Sequence, residues 1–62
     1  MKLNPKQSDA VITARKLKKI SQEKLSFELN VAQTNYSKME RGLYGVTVEQ
    51  LKTINKVLGI RL

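Results

Sequence analysis

A chain of 62 residues that contains no cysteine and no histidine has to fold by burying apolar side chains alone. This length lies near the lower limit for a core that is stable without disulfides or metals. The composition excludes disulfides and thiolate metal sites, and it removes the commonest general base. We therefore predict one domain over residues 1–62 that is not an enzyme and holds no metal and no cofactor.

The charge of the chain points to a polyanionic partner. Twelve lysine and arginine residues against five acidic residues give a net charge of +7 and a pI near 10.1. Nucleic acid or an anionic membrane surface fits such a charge. No apolar run exceeds three residues, whereas a transmembrane helix needs about 20. No signal peptide is visible at the start, so we expect a cytoplasmic protein.

Residues that favour helix starts and stops divide the chain into four amphipathic segments. Asn4 before a proline, Ser21, and Thr47 with Gln50 three residues later are typical N-caps. Asparagine or glycine follows each of the last three segments, and no segment alternates with the period of a strand. The predicted helices span residues 5–18, 22–29, 33–41 and 48–58.

The second and third predicted helices are short and separated by only three residues. Within the window Gln22–Arg41, Ser26 is small enough for a close helix crossing, and Asn30 tolerates the positive φ that a tight turn needs. The apolar positions face a shared core. This spacing is typical of a helix-turn-helix, whose second helix enters the DNA major groove. The apolar positions are Leu25, Leu29, Val31, Tyr36 and Met39.

Three segments resemble the Cro/phage-repressor-type (XRE-like) helix-turn-helix domains in their order and spacing. They are Ala14–Leu25, Tyr36–Gly42 at the end of the recognition helix, and Thr47–Gly59, and the resemblance covers about residues 10 to 60. It implies an all-α fold. The expected architecture is a compact four- to five-helix lambda-repressor-like DNA-binding domain with the helix-turn-helix at helices 2 and 3.

The resemblance also implies roles in DNA binding for matching positions. The expected contacts to base edges are Gln33, Thr34, Asn35 and Lys38. The expected contacts to phosphates are Ser21, Gln22, Lys24 and Arg41, and Gln22 is expected to pair with Gln33. Arg15 and Glu40 match a buried or half-buried ion pair that ties helix 1 to helix 3. The alternatives are a merely solvated helix face and an exposed ion pair that contributes little.

Three positions depart from the family pattern. Ala32 stands where serine or threonine usually caps helix 3, and this weakens the helix start by about 1 kcal/mol. Tyr36 replaces a branched aliphatic residue. We expect it in the core, where it either tilts helix 3 or brings its hydroxyl near the DNA backbone. Lys19 replaces the glycine that often ends helix 1.

Several apolar residues outside the helices or at their ends have two possible roles. They either cap the core or form a patch for dimerisation, and the sequence leaves both roles open. These residues are Leu43, Tyr44, Val46, Ile60 and Leu62.

The function that these observations favour is sequence-specific transcriptional regulation. The protein would bind a palindromic operator in double-stranded DNA as a homodimer, with helix 3 in the major groove. The alternative is an antitoxin-like or anti-repressor-like module that uses the same fold to bind a second protein chain. Separately capped short helices argue against a membrane-surface peptide. No small-molecule ligand is evident, and no nucleophile–base pair or phosphate loop suggests catalysis.

Overall fold

Four helices joined by short loops make up the protein, and the computed structural model describes all residues 1–62. The helices are α1 (Pro5–Leu17), α2 (Gln22–Leu29), α3 (Gln33–Glu40) and α4 (Val48–Leu58). No strand is present, and the chain measures 23 × 23 × 17 Å. The predicted all-α fold is therefore confirmed, with four helices. Two of the predicted helices extend one residue too far at their C-terminal ends, since α1 ends at Leu17 and α3 ends at Glu40.

Side-chain caps begin three of the four helices. The Asn4 side chain accepts a hydrogen bond from the Gln7 backbone N–H at 2.8 Å, and the Gln7 side chain accepts one from the Asn4 N–H at 2.9 Å. Thr47 and Gln50 form the same reciprocal capping box at the start of α4. Ser21 Oγ accepts from the Lys24 N–H at 3.0 Å. These local bonds explain why the sequence predicts the helix starts correctly.

A residue with positive φ ends each helix. In the first three helices its N–H bonds back three residues, and the next N–H bonds back five, as in a Schellman motif. After α4 the N–H of Ile60 makes the same five-residue bond, to the Asn55 carbonyl. The backbone therefore reverses sharply after every helix. The four residues are Lys19 (φ 57°), Asn30 (φ 56°), Gly42 (φ 76°) and Gly59 (φ 66°).

One core holds the four helices together. It also takes in one residue from the N-terminal segment and one from the loop between α3 and α4. The helices thus bury their apolar stripes against each other and against both non-helical segments. The buried apolar residues are Leu3, Val11, Leu25, Tyr36, Met39, Val46, Ile54 and Leu58.

The apolar residues with two possible roles divide between core and surface. Val46 belongs to the core, and Ile60 and Leu62 pack against it while partly buried. Leu43 and Tyr44 are exposed. The second group is therefore free to contact another molecule.

Leu17 lies outside the core, although it is an apolar residue at the end of α1. Its side chain is 78% exposed. The reason is helical geometry, since Leu17 follows the buried Val11 by six residues and so lies about 120° away around a helix of 3.6 residues per turn.

The N-terminal segment is bound to the loop between α3 and α4. The Met1 ammonium donates to the Val46 carbonyl at 3.0 Å, and the Val46 N–H donates to the Met1 carbonyl at 2.5 Å. Gly42 lies so close to this segment that a Cβ atom there would clash with the Leu3 carbonyl oxygen. Glycine is therefore required at position 42 both by its positive φ and by this contact.

None of the four helices is long and apolar enough to cross a membrane.

The positive φ of Lys19 generates a stability prediction. A left-handed conformation costs an L-residue about 1–2 kcal/mol, whereas glycine adopts it freely but loses about 0.5–1 kcal/mol more entropy on folding. We expect Lys19→Gly to raise the free energy of unfolding by about 0.5–1 kcal/mol, measured by urea unfolding. Lys18→Gly is the matched control, since it removes the same charge at a right-handed position. It should lower the free energy of unfolding, and a stabilised Lys18→Gly would contradict this explanation.

Candidate nucleic-acid interface

Helix α3 has one buried face and one exposed polar face. Tyr36, Met39 and Glu40 are buried. Gln33, Thr34 and Lys38 are exposed, and the side chain of Asn35 is half-buried. Three of the four residues expected to contact bases therefore point to solvent, and the fourth lies at the edge of the buried face.

A polar depression joins the starts of α2 and α3. It is lined by Gln22, Gln33, Thr34 and Ser37. The structure thus brings one residue expected to contact phosphate next to two expected to contact bases. Ser37 is missing from the predicted site, although its position four residues after Gln33 places it on the same helix face.

A buried carboxylate lies directly behind this depression. Glu40 is only 2% exposed, and its Oε1 accepts from Arg15 Nε at 2.5 Å and from the Tyr36 hydroxyl at 3.4 Å. Its Oε2 accepts from the Gln22 side-chain amide at 2.6 Å and, more weakly, from an Arg15 terminal nitrogen at 3.5 Å. One carboxylate therefore binds side chains from α1, α2 and α3.

The Arg15–Glu40 pair is a structural tie and not a surface contact. The Arg15 side chain is 12% exposed, and it also donates to the Ile20 carbonyl at 3.0 Å. Charge-assisted bonds in such surroundings are short and directional. Removal of one partner would leave the other charge buried without compensation, which costs about 3–5 kcal/mol. By contrast, the exposed Lys24–Glu28 pair, at 3.7 Å, contributes at most about 1 kcal/mol.

Tyr36 points into the core and away from solvent. Its side chain is fully buried and its hydroxyl faces Glu40, so the expectation that this hydroxyl lies near the DNA backbone is wrong. Burial raises the pKa of the Tyr36 phenol above its usual value, and the negative charge of Glu40 raises it further. The positive charge of Arg15 opposes this shift without cancelling it. The phenol therefore stays protonated in the folded protein.

The remaining residues expected to contact phosphates lie around the ends of α2 and α3. Ser21 caps α2 and is exposed, and Lys24 is exposed one turn further on. Arg41 is exposed just after α3, where its Nε donates to the Ser37 carbonyl at 3.2 Å. It lines a second depression with Ser8 and Asp9, apart from the one that contains Gln22.

The expected bond between Gln22 and Gln33 is not formed. The Gln22 amide donates to Glu40 instead. The Gln22 nitrogen is turned towards Glu40 because an ionised carboxylate is a stronger acceptor than a neutral amide oxygen.

No side chain caps the start of α3. Ala32 occupies the N-cap position and has no group that could accept from the backbone. The first N–H groups of α3 are consequently free to donate to an external acceptor, and the helix dipole favours an anionic one. No group of three or more acidic side chains that could hold a metal is present.

The comparison with known proteins agrees with this geometry. Residues 11–62 match the helix-turn-helix family, which is most of the chain. The chain belongs to the XRE-type helix-turn-helix family. It therefore carries a DNA-binding domain of the transcription-regulator type, in a family that is regulatory and not typically enzymatic.

A relative of this helix-turn-helix chain is the control protein C.BamHI of Bacillus amyloliquefaciens. The two are 40% identical over 42 residues, which are 68% of this chain and 52% of the relative. The chain thus spans about half the length of this curated relative. No solved structure matches the chain significantly.

The raised pKa of Tyr36 predicts a loss of stability at alkaline pH. Below the phenol's usual pKa of 10.0 the protonated form is present in both states, so the contribution is complete. Above it the unfolded chain ionises first, and the free energy of unfolding falls by up to about 1.4 kcal/mol per pH unit from this one group. We expect Tyr36→Phe to lose less stability between pH 9 and pH 11 than the natural chain, measured by urea unfolding. The control Tyr44→Phe leaves Tyr36 in place, so its fall should match that of the natural chain.

Proposed function

We propose that this protein is a sequence-specific transcriptional regulator that reads a palindromic operator with α3 in the major groove. The observation that carries the proposal is the division of α3 into a fixed buried face and an exposed polar face. A helix held rigidly on one side presents its other side in one orientation, which selective recognition of base edges needs. Such a protein would be found with the chromosome in the cytoplasm.

The exposed face of α3 has the chemistry of a base reader. Gln33 can form bidentate hydrogen bonds with N6 and N7 of adenine, and Lys38 can donate to O6 or N7 of guanine. Thr34 offers a hydroxyl and a methyl group, which suits either a polar edge or a thymine methyl. Asn35, at the edge of this face, is proposed as the fourth base contact.

Phosphate contacts would supply most of the affinity. We assign them to Ser21, Gln22, Lys24 and Arg41, which lie around the ends of the two helices. The free N–H groups at the start of α3 suit a phosphate oxygen. The net charge of +7 adds attraction that does not depend on sequence.

Selection of binding sites from random duplex DNA tests this function. The purified protein should enrich one palindromic site, and its affinity for that site should exceed that for random DNA by at least about 10³-fold. A smaller ratio would contradict sequence-specific regulation. It would favour the second candidate, in which the same fold binds another protein chain.

On the selected site, Lys38→Ala and Arg41→Ala should behave differently. We expect Lys38→Ala to cost about 1–3 kcal/mol and to relax preference at one base position, because it removes a base contact. Arg41→Ala should weaken binding equally on all sequences and reduce the salt slope by about 1. Lys56→Ala, which removes the same charge from α4, is the control. Gel shifts across salt concentrations measure these effects, and a uniform loss for Lys38→Ala would refute its role as a base reader.

The homodimer has a candidate interface on the loop between α3 and α4. Leu43 and Tyr44 are exposed there, Val48 is exposed at the first position of α4, and Met1 is held to this loop by its bonds to Val46. The stretch Gly42–Val48 contains no charged residue, although 27% of the chain is charged. Two chains of charge +7 repel each other, so an uncharged apolar patch is a favourable place for them to meet. A self-complementary patch gives the two-fold symmetry that a palindromic site requires.

The double variant Leu43→Ser/Tyr44→Ser tests this interface without changing the net charge. Loss of two buried apolar contacts should raise the dimer dissociation constant about tenfold or more, measured by sedimentation with and without the selected duplex. Phe27→Ser is the control, since Phe27 is 81% exposed but lies on α2. The interface would be refuted if Phe27→Ser, and not the double variant, produced monomers. A single chain bound to one half-site in the natural protein would refute the homodimer itself.

A further inference from the structure

Glu40 binds two kinds of partner with its two oxygens. Oε1 takes the short bond from Arg15 and the contact from Tyr36, both of which hold the fold together. Oε2 takes the short bond from Gln22, a residue of the proposed DNA interface, and only a long contact of 3.5 Å from an Arg15 terminal nitrogen. A single buried group thus connects the core to the surface that would meet DNA.

We propose that Glu40 is a positioning residue that fixes which way the Gln22 amide faces, and thereby which groups Gln22 presents to DNA. This inference rests on the function proposed above. Rotation of a side-chain amide by 180° exchanges its nitrogen and its oxygen, which are similar in size. The nitrogen only donates hydrogen bonds and the oxygen only accepts them. An ionised carboxylate only accepts, so the Gln22 nitrogen must face Glu40, and the reverse orientation would place two acceptors against each other.

The fixed amide leaves two groups for other partners. One N–H of the Gln22 nitrogen is used by Glu40, so one N–H and the oxygen Oε1 remain free. Gln22 also lines the polar depression with Gln33, Thr34 and Ser37. Gln22 can therefore donate to a phosphate oxygen and at the same time accept from an N–H group of a base or of Gln33.

Glu40 can fix the orientation of the Gln22 amide because Glu40 is itself held in place by its own contacts. Its carboxylate is buried, and Arg15, which binds it, is anchored in turn to the Ile20 carbonyl. Burial limits the access of water to this carboxylate, so the bond holds the half-buried Gln22 amide in place before DNA arrives. A side chain ordered in advance loses less entropy on binding, so affinity is gained without any new contact.

A double-mutant cycle separates positioning from simple structural support. Glu40→Gln keeps the size of the side chain but accepts either orientation of the Gln22 amide, and Gln22→Met removes that amide. We expect each single variant to lose about tenfold in affinity for the selected operator, as for one lost charge-assisted bond. The double variant should lose no more than either single one, because both changes disable the same amide. If Glu40→Gln weakens DNA binding equally in the natural and Gln22→Met backgrounds, Glu40 acts only through the fold and the inference is refuted.

Urea unfolding of each variant checks that it is folded under the assay conditions, since Glu40→Gln leaves Arg15 without its charged partner. A measurement on the natural chain avoids this difficulty. In NMR spectra of the free protein, the Gln22 side-chain amide protons should be shifted and protected from exchange relative to those of the exposed Gln33. Equal behaviour of the two amides would refute the positioning. Glu40→Asp, which keeps the charge but shortens the side chain, should lose the Gln22 signature while it remains paired with Arg15.

The outcomes distinguish this inference from the proposed function. If the natural chain selects no operator, the proposed function fails, and the NMR comparison still decides whether Glu40 orients Gln22. If an operator is selected but the double-mutant cycle is additive, the inference alone fails.

Discussion

The carboxylate of Glu40 is the contact on which the arrangement of the first three helices depends. Glu40 is the only charged residue that is fully buried, in a chain with five acidic residues against twelve basic ones. A buried charge needs several donors, and here they come from α1, α2 and α3, so the angle between α2 and α3 is fixed by hydrogen bonds as well as by apolar packing. The N-terminal helix α1 thus stabilises the helix-turn-helix through the bond of Arg15 to Glu40.

In the proposed function, DNA binding has two components, one independent of the base sequence and one that depends on it. Exposed lysines and arginines give the whole surface an attraction for a polyanion, which acts at a distance and weakens with salt. In the proposed complex, selectivity would come from the few polar and charged groups on the exposed side of α3, whose direction is set by the buried side. A chain of this size can present such a helix face only because its loops are short and a residue with positive φ follows the end of every helix.

Sequence alone predicts the helices well because their signals are local. Asn4, Ser21 and Thr47 bond to backbone groups three residues away, so their role is visible in the chain itself. The features that sequence misses depend on distant partners. The bond of Gln22 to Glu40 joins residues 18 apart, and Val46 is drawn into the core beside Met1, 45 residues away. The sequence likewise does not reveal that Phe27 is exposed, since apolar identity does not say which side of a helix packs.

The start of α3 is the only helix start that no side chain caps. Three helices carry their own N-terminal acceptor, whereas α3 has Ala32 in that place. In the proposed complex a phosphate oxygen takes over the missing cap, and this capping bond forms only where the first turn of α3 is folded. By mass action, DNA then contributes to the folding of the helix that reads it. The recognition helix would fray most readily in free molecules, so hydrogen exchange at its first turn would report how many copies are on DNA at a given moment.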